Sequence, residues 1–267
     1  MAAITARLRE LIARGRNVVA LTGAGISAES GVPTFRSLGG FWENESLEDL
    51  ATPEGFERDP RRVWAWYDAR RRELAACAPN AGHLALARYE RRHPGFTLIT
   101  QNVDGLHRAA GSRRVVALHG DLFGVRCTRD GTAREHRRAP LPEIPPRCGC
   151  GALLRPDVVW FGEPLPKEAM QAALRATLAA DLFLVVGTSA LVYPAAGLPL
   201  EARDGGAFVV EINIEPTPLT PMADEVIRGP AAAVLPDLLD PGTTGGEPDA
   251  AGDDHGPAGD GPAAGES

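Results

Sequence analysis

Long apolar runs, aromatic residues, lysine and cysteine are all scarce in this chain, and each shortage narrows what it can be. No window of about 20 residues is uniformly apolar, which excludes an ordinary transmembrane helix. The nearest approach, Leu182 to Leu200, is broken by Gly187, Thr188, Ser189 and Pro194. The N-terminal MAAITARLRELIARG has no apolar stretch leading to a small-residue cleavage site, so it does not read as a secretory signal. Four cysteines (Cys77, Cys127, Cys148 and Cys150) do not make a disulfide framework without export, and the last three cluster as metal ligands do. The expectation is a soluble, cytoplasmic protein with no membrane partner. Lysine occurs once, as Lys167, among 28 basic residues, a bias with no functional content.

A basic surplus is missing too. The formal net charge is −7, but residues 241–267 hold six acids (Glu247, Asp249, Asp253, Asp254, Asp260, Glu266) and no Lys or Arg. That leaves 29 acids and 28 bases in the first 240 residues. A nearly neutral body has no excess cation to neutralise phosphates, so no nucleic-acid partner is expected. The same tail carries 8 Gly, 4 Pro and 5 Ala, too little apolar surface to offset the entropy of ordering, and is expected to be disordered.

What is present is enough for a core: 267 residues, 44% of them apolar. Residues 17–22 (NVVALT), 96–101 (FTLITQ), 115–118 (VVAL), 182–186 (LFLVV) and 207–212 (AFVVEI) read as strands. Their apolar character is continuous rather than alternating, as in strands buried on both faces. Helical patterns lie between them at 4–14, 61–76, 81–92 and 167–179. Alternation of this kind predicts an α/β protein with a parallel sheet. Residues 121–160, with three cysteines and Pro140, Pro142, Pro145 and Pro146, break the rhythm and read as a small inserted module. Residues 37–80 read as a second, helical excursion, because the first two strands lie too far apart for one crossover.

The first strand runs into Gly23-Ala24-Gly25-Ile26-Ser27-Ala28, a G-x-G-x-x-[GA] turn. Glycines there let backbone N–H groups approach a pyrophosphate closely. Two features depart from a dehydrogenase. Gly31 and Pro33 interrupt the crossover helix at once, and no strand-end acid follows about 20 residues on, since Glu43 and Glu45 lie in WENES. The other strands also end in compact polar residues: Gln101-Asn102-Val103-Asp104, His119-Gly120, Gly187-Thr188-Ser189 and Asn213-Ile214-Glu215. Such ends are ordinary turn chemistry singly, but ligands of open parallel sheets bind where they converge. His119 is the best general base among them at neutral pH, with a turn-capping histidine as the bland alternative.

Six blocks carry a family resemblance: GAGISAESGVPTFR (23–36), QNVDGLHRAAG (101–111), LHG (118–120), RPDVVWFGE (155–163), GTS (187–189) and NIE (213–215). In this order they resemble the sirtuins, NAD-dependent protein lysine deacylases, from about residue 10 to 239. The resemblance implies a large Rossmann-type domain with a second, smaller zinc-containing domain, catalytic over residues 1–240. It implies that NAD and an acylated-lysine protein or peptide meet in the cleft between them.

By motif position, the resemblance gives Gly23, Ala24, Gly25, Glu29, Phe35, Arg36 and Trp42 to the cofactor loop. It places Gln101, Asn102 and Asp104 around the nicotinamide and its ribose, and Gly187, Thr188, Ser189, Asn213, Ile214, Glu215 and Ala231 around the adenosine half. NAD is then consumed as co-substrate: the acyl oxygen attacks the ribose C1′ as nicotinamide leaves. His119 next takes a proton from the ribose hydroxyls, and the products are lysine, nicotinamide and an O-acyl-ADP-ribose. Val159, Phe161 and Gly162 would offer backbone to the substrate peptide by strand addition. A loop that opens and closes over the reacting ribose also accounts for Gly31 and Pro33.

Tyr67 and Arg70 stand three apart on one helix face. Arg70, Arg71 and Arg72 read alone as a solvated run. Y-x-x-R before PNAGH resembles the class III sirtuins, whose acyl pocket uses the pair for acidic acyl groups, giving desuccinylase and demalonylase capacity. The family's two Cys-x-x-Cys pairs are incomplete: Cys127 is followed at the fourth position by Asp130, and the second pair is compressed to Cys148-Gly-Cys150. Asp130 or His136 could complete a Zn²⁺ tetrahedron, or packing alone could hold the module. Cys77 reads as core. A mono-ADP-ribosyltransferase and a non-catalytic ADP-ribose-binding protein are the competing readings, and a plain dehydrogenase is the weakest.

Overall fold

The computed structural model describes residues 4–33 and 47–240. Phe35, Arg36, Trp42 and the acidic tail lie outside the described residues. Among the described residues, nine strands form two sheets. The larger takes β1 (Val18–Thr22), β2 (Phe96–Thr100), β3 (Val115–Ala117), β7 (Leu182–Val186), β8 (Phe208–Asn213) and β9 (Glu225–Arg228) in the order β3-β2-β1-β7-β8-β9. All its pairings are parallel. The order reverses at β1, which pairs β2 on one side and β7 on the other, so the crevice above its C-terminal end is the switch point where such sheets bind ligands.

Burial explains why the central strands lack alternation. Every residue of β1 and β7 is buried. One face packs on α1 (Ala6–Arg14), α5 (Ala81–Arg92) and α9 (Ala231–Leu239), through Leu8, Leu11, Leu86, Tyr89, Val234 and Leu235. The other packs on α7 (Lys167–Leu178) and α8 (Leu198–Asp204), through Ala173, Leu198 and Ala202. Helix α5 starts at a capping box: the Asn80 side chain accepts from the Gly82 and His83 backbone, and the His83 ring accepts from the Asn80 N–H.

The smaller sheet joins β4 (Gly120–Cys127), β5 (Ala133–Glu135) and β6 (Leu154–Val158) antiparallel, in the order β5-β4-β6. Beside it stand the short helices α2 (Leu47–Leu50) and α3 (Pro53–Arg58) and the longer α4 (Pro60–Ala75). Together they enclose a separate core of Leu50, Phe56, Trp64, Tyr67, Phe123, Val125 and Trp160. Helix α6 (Leu106–Ala109) follows the QNVD block. No described helix is long and apolar enough to cross a membrane.

Candidate active site

The turn after β1 runs as two short 3₁₀ turns, Ala24–Ile26 and Ala28–Ser30, and stops at Gly31 in the left-handed region (φ 84°). This is the break that Gly31 and Pro33 predict. The loop after β7 crosses the turn at backbone contact: the Gly25 N–H donates to the Gly187 carbonyl at 2.7 Å. A Cβ on Gly187 (φ 58°) would sit 2.6 Å from the Ile26 nitrogen, so glycine is required there. The result is a cradle walled by main chain, the surface a phosphate needs.

Other strand ends close around it. Gln101 donates to the Thr188 hydroxyl at 2.9 Å, and Asn213 donates to the Thr188 carbonyl at 2.9 Å. Asn102 reaches the Gly23 carbonyl at 3.1 Å and the Ser27 hydroxyl at 3.2 Å. Ser189 is half-buried beside them, while Ile214 and Glu215 lie exposed at the rim. Glu29 accepts from the Ala232 N–H at 2.9 Å, which ties the turn to the start of α9 next to Ala231. The described cofactor residues expected from the sequence thus gather at or after the ends of β1, β2, β7 and β8, with Ala231 opening α9 beside Glu29.

Beneath this edge lies a polar layer of which sequence reasoning singled out only Asn102 and Asp104. The Ser27 hydroxyl donates to the Asp104 carboxylate at 2.7 Å and faces the His83 Nε2 at 3.3 Å. The Thr22 hydroxyl faces the His107 Nε2 at 2.9 Å and donates to Thr100. Thr100 in turn accepts from the Asn102 N–H at 3.1 Å, so the layer holds Asn102 from below. Burial keeps both rings neutral, pushing His83 down to about 4 and His107 to about 3. The same burial raises the Asp104 carboxyl, while the Leu106 N–H and Ser27 hydroxyl favour its anion. The only signals were positional, since Ser27, His83 and His107 fall inside or beside the motif blocks.

His119 follows β3, half-buried, with its Nδ1 2.9 Å from the Gln101 carbonyl. A carbonyl only accepts, so Nδ1 carries the proton and Nε2 keeps its lone pair. Desolvation lowers its pKa below the ordinary imidazole value, against the opposing pull of that hydrogen bond. The His119 carbonyl accepts from the Val159 N–H at 2.9 Å, bringing the VVWFG segment to the histidine. Phe161 and Gly162 there are exposed.

Tyr67 and Arg70 both sit on α4, and the Tyr67 hydroxyl accepts from the Trp160 indole of that segment at 2.9 Å. Arg70 is bonded to Glu73 at 2.7 and 2.9 Å and lies over the Trp66 ring. The picture of one solvated arginine run is corrected here. Arg72 is exposed, but Arg71 is fully buried and donates to the carbonyls of Leu122, His136 and Arg138.

The sulfurs of Cys127, Cys148 and Cys150 lie within 4.8 Å of one another, with Cys127 and Cys150 3.7 Å apart. Zinc–thiolate bonds of 2.3 Å set tetrahedral S···S edges of about 3.8 Å, so the three thiols fit one face of such a site. Asp130 contacts the Cys127 thiol but lies outside the tight group. His136 lies outside the tight group as well, with its Nδ1 3.4 Å from an Arg71 guanidinium nitrogen. Cys77 is half-buried against the α4 core, away from the cluster.

Comparison with known proteins agrees with this geometry. A Sir2 family model matches residues 23–194. The chain is 52% identical over 225 residues to the NAD-dependent protein deacylase of Aquifex aeolicus (strain VF5), covering 84% of this chain and 94% of that protein. It is 53% identical over 232 residues to NAD-dependent protein deacylase 2 of Pyrobaculum aerophilum, covering 86% and 93%. Among solved structures it resembles a Sir2 homologue–NAD complex, with TM-score 0.83 and 47% identity over 89% of this chain and 93% of that one. A Sir2–p53 peptide–NAD⁺ complex superposes with TM-score 0.78 at 30% identity, covering 90% and 99%. The chain belongs to the Sir2 family.

Proposed function

We propose that this chain is an NAD-dependent protein-lysine deacylase acting on acylated-lysine proteins, with capacity for acidic acyl groups such as succinyl and malonyl. One observation carries the reading: the neutral His119 ring, the Asn102 amide and the glycine-walled cradle converge on one sheet edge beside the VVWFG segment, whose Phe161 and Gly162 are exposed. NAD supplies an activated ribosyl carbon from which nicotinamide departs.

The rest is this chain's own chemistry. The Gly23–Gly25 turn and the Gly187–Ser189 loop hold the diphosphate and adenosine half, with Asn213, Ile214, Glu215 and Ala231 at its far end. Gln101, Asn102 and Asp104 orient the ribose. His119 Nε2 accepts a ribose hydroxyl proton while its Nδ1–H stays on Gln101. Val159 to Gly162 pair with the peptide backbone, and the Arg70 guanidinium with the Tyr67 hydroxyl receives an acyl carboxylate. The catalytic unit ends by residue 240. Cys127, Cys148 and Cys150 would hold a structural Zn²⁺, with the nearby Asp130 as fourth ligand.

The test is incubation with NAD and matched acetyl-, succinyl- and malonyl-lysine peptides, read by mass spectrometry in the wild type and in Arg70→Met. O-acyl-ADP-ribose should form with each peptide. Arg70→Met should lower succinyl turnover about 10- to 150-fold more than acetyl turnover, the effect of one charge-assisted bond. Equal losses on both peptides would remove the acidic-acyl assignment. Nicotinamide release that does not need an acyl-lysine would remove the deacylase assignment.

A further inference from the structure

Tyr67 and Trp160 are both buried in the smaller core and are joined by a hydrogen bond from the Trp160 indole to the Tyr67 hydroxyl at 2.9 Å. We propose that Trp160 is a positioning residue for acyl selection, fixing the direction in which Tyr67 donates its proton to an acyl carboxylate. The proposal rests on the acidic-acyl reading above.

An indole N–H can only donate. The Tyr67 oxygen must therefore accept from Trp160, and its own hydrogen is driven to the other in-plane position. A carboxylate only accepts, so a pocket for it needs a donor of fixed aim. Burial also raises the Tyr67 phenol above its ordinary range, which keeps the donor protonated at working pH.

The indole is itself clamped. The Arg155 guanidinium lies 3.5 Å over the Trp160 ring centre. Arg155 is anchored in turn by two bonds to Glu163, at 2.6 and 2.8 Å, and by the Val158 carbonyl at 3.0 Å. Glu163 also accepts the Trp160 backbone N–H at 2.9 Å, and Phe56 packs against the indole at 5.3 Å between ring centres. These contacts fix the indole from its backbone to its ring. Trp160 stands between Val159 and Phe161, so one rigid piece carries both the proposed peptide-facing segment and the partner of Tyr67.

The test measures kcat/KM on succinyl- and acetyl-lysine peptides with NAD for the full chain and for Trp160→Phe, Tyr67→Phe, the double variant and Arg70→Met. Trp160→Phe should lower the succinyl-to-acetyl ratio roughly 3- to 10-fold, the effect of one neutral hydrogen bond. Tyr67→Phe should do about the same, and the double variant should fall no further, because both remove one interaction. An unchanged ratio in Trp160→Phe beside a lowered one in Tyr67→Phe overturns the proposal, as do losses that multiply in the double variant. If neither Arg70→Met nor Tyr67→Phe moves the ratio, the acidic-acyl reading has itself failed.

Should Trp160→Phe not fold, Glu163→Gln loosens the clamp and keeps the ring, and is expected to move the ratio the same way about 2-fold. The Trp160 indole N–H resonance of the wild type gives an independent readout. It should shift more with succinyl-lysine peptide than with acetyl-lysine peptide, and equal shifts would overturn the proposal.

Discussion

The two sheets are held in place by different physics. In the six-stranded sheet, β1 and β7 are buried at every position and sandwiched between helices, so hydrophobic burial alone specifies strand, register and edge. In the three-stranded sheet, β5 is exposed throughout and β6 alternates. That sheet buries β4 in the smaller apolar core and is tied down further by polar reach from α4. Trp64 donates to the Leu154 carbonyl, Asp68 accepts the Leu141 N–H, and Arg71 spans three carbonyls. A self-sufficient sheet can spend its C-terminal edge on chemistry, whereas a thin module depends on ties supplied from outside, of which zinc would be one.

The largest expected effect tests that dependence. Structural zinc contributes roughly 10 kcal/mol or more where a small site folds around it. The purified protein should carry about one zinc equivalent, and chelation should speed amide exchange in β4 and β6 while β1, β2 and β7 stay protected. A metal-free protein with equal protection in both sheets would show that α4 suffices.

Next in size is His119→Tyr, which strikes chemistry at the sheet edge and spares the fold. Loss of the general base should cost about 10²–10⁴-fold in turnover with little change in melting temperature. Because burial lowers the His119 pKa, wild-type kcat/KM should hold through neutral pH and decline only on the acid side of 6.5. Near-normal turnover by a folded variant would remove His119 from the mechanism.

The same contrast explains what was legible in the sequence. Continuous Val-Ile-Leu runs disclosed β1, β2, β3, β7 and β8, and helical patterning disclosed α5. Helix α9 was hidden by Pro230 before it and Pro236 inside it, although its apolar face packs on α5. Strands β4 and β6 were obscured by Gly124 and Pro156, and β9 is only four residues long. The polar strand ends showed the site's upper surface. Its lower layer and the Tyr67–Trp160 bond join residues tens of positions apart, and pairings at that range leave no periodicity to read.

The smallest effect concerns that lower layer, and it makes the larger sheet the acid-sensitive half. His83 and His107 are buried with ring centres 4.9 Å apart. Thr22 donates its hydrogen to Thr100, so it accepts from His107 Nε2–H, and the His107 Nδ1 is left with a lone pair and no partner among the described residues. Protonation there would place a charge in the core beside a second imidazole. Unfolded histidines titrate near 6.5, whereas the folded values are about 4 and 3. Between those limits the unfolded chain binds more protons, so stability is complete above 6.5 and declines as the pH falls. At pH 5 the loss should be about 2 kcal/mol for each ring, levelling off once the folded rings also protonate. Urea unfolding at pH 7.5 and pH 5.0 measures it. His107→Gln keeps an amide nitrogen near the Nε2 position and cannot titrate, so it should remove about half of the difference. An undiminished difference in that variant would place the acid sensitivity elsewhere in the chain.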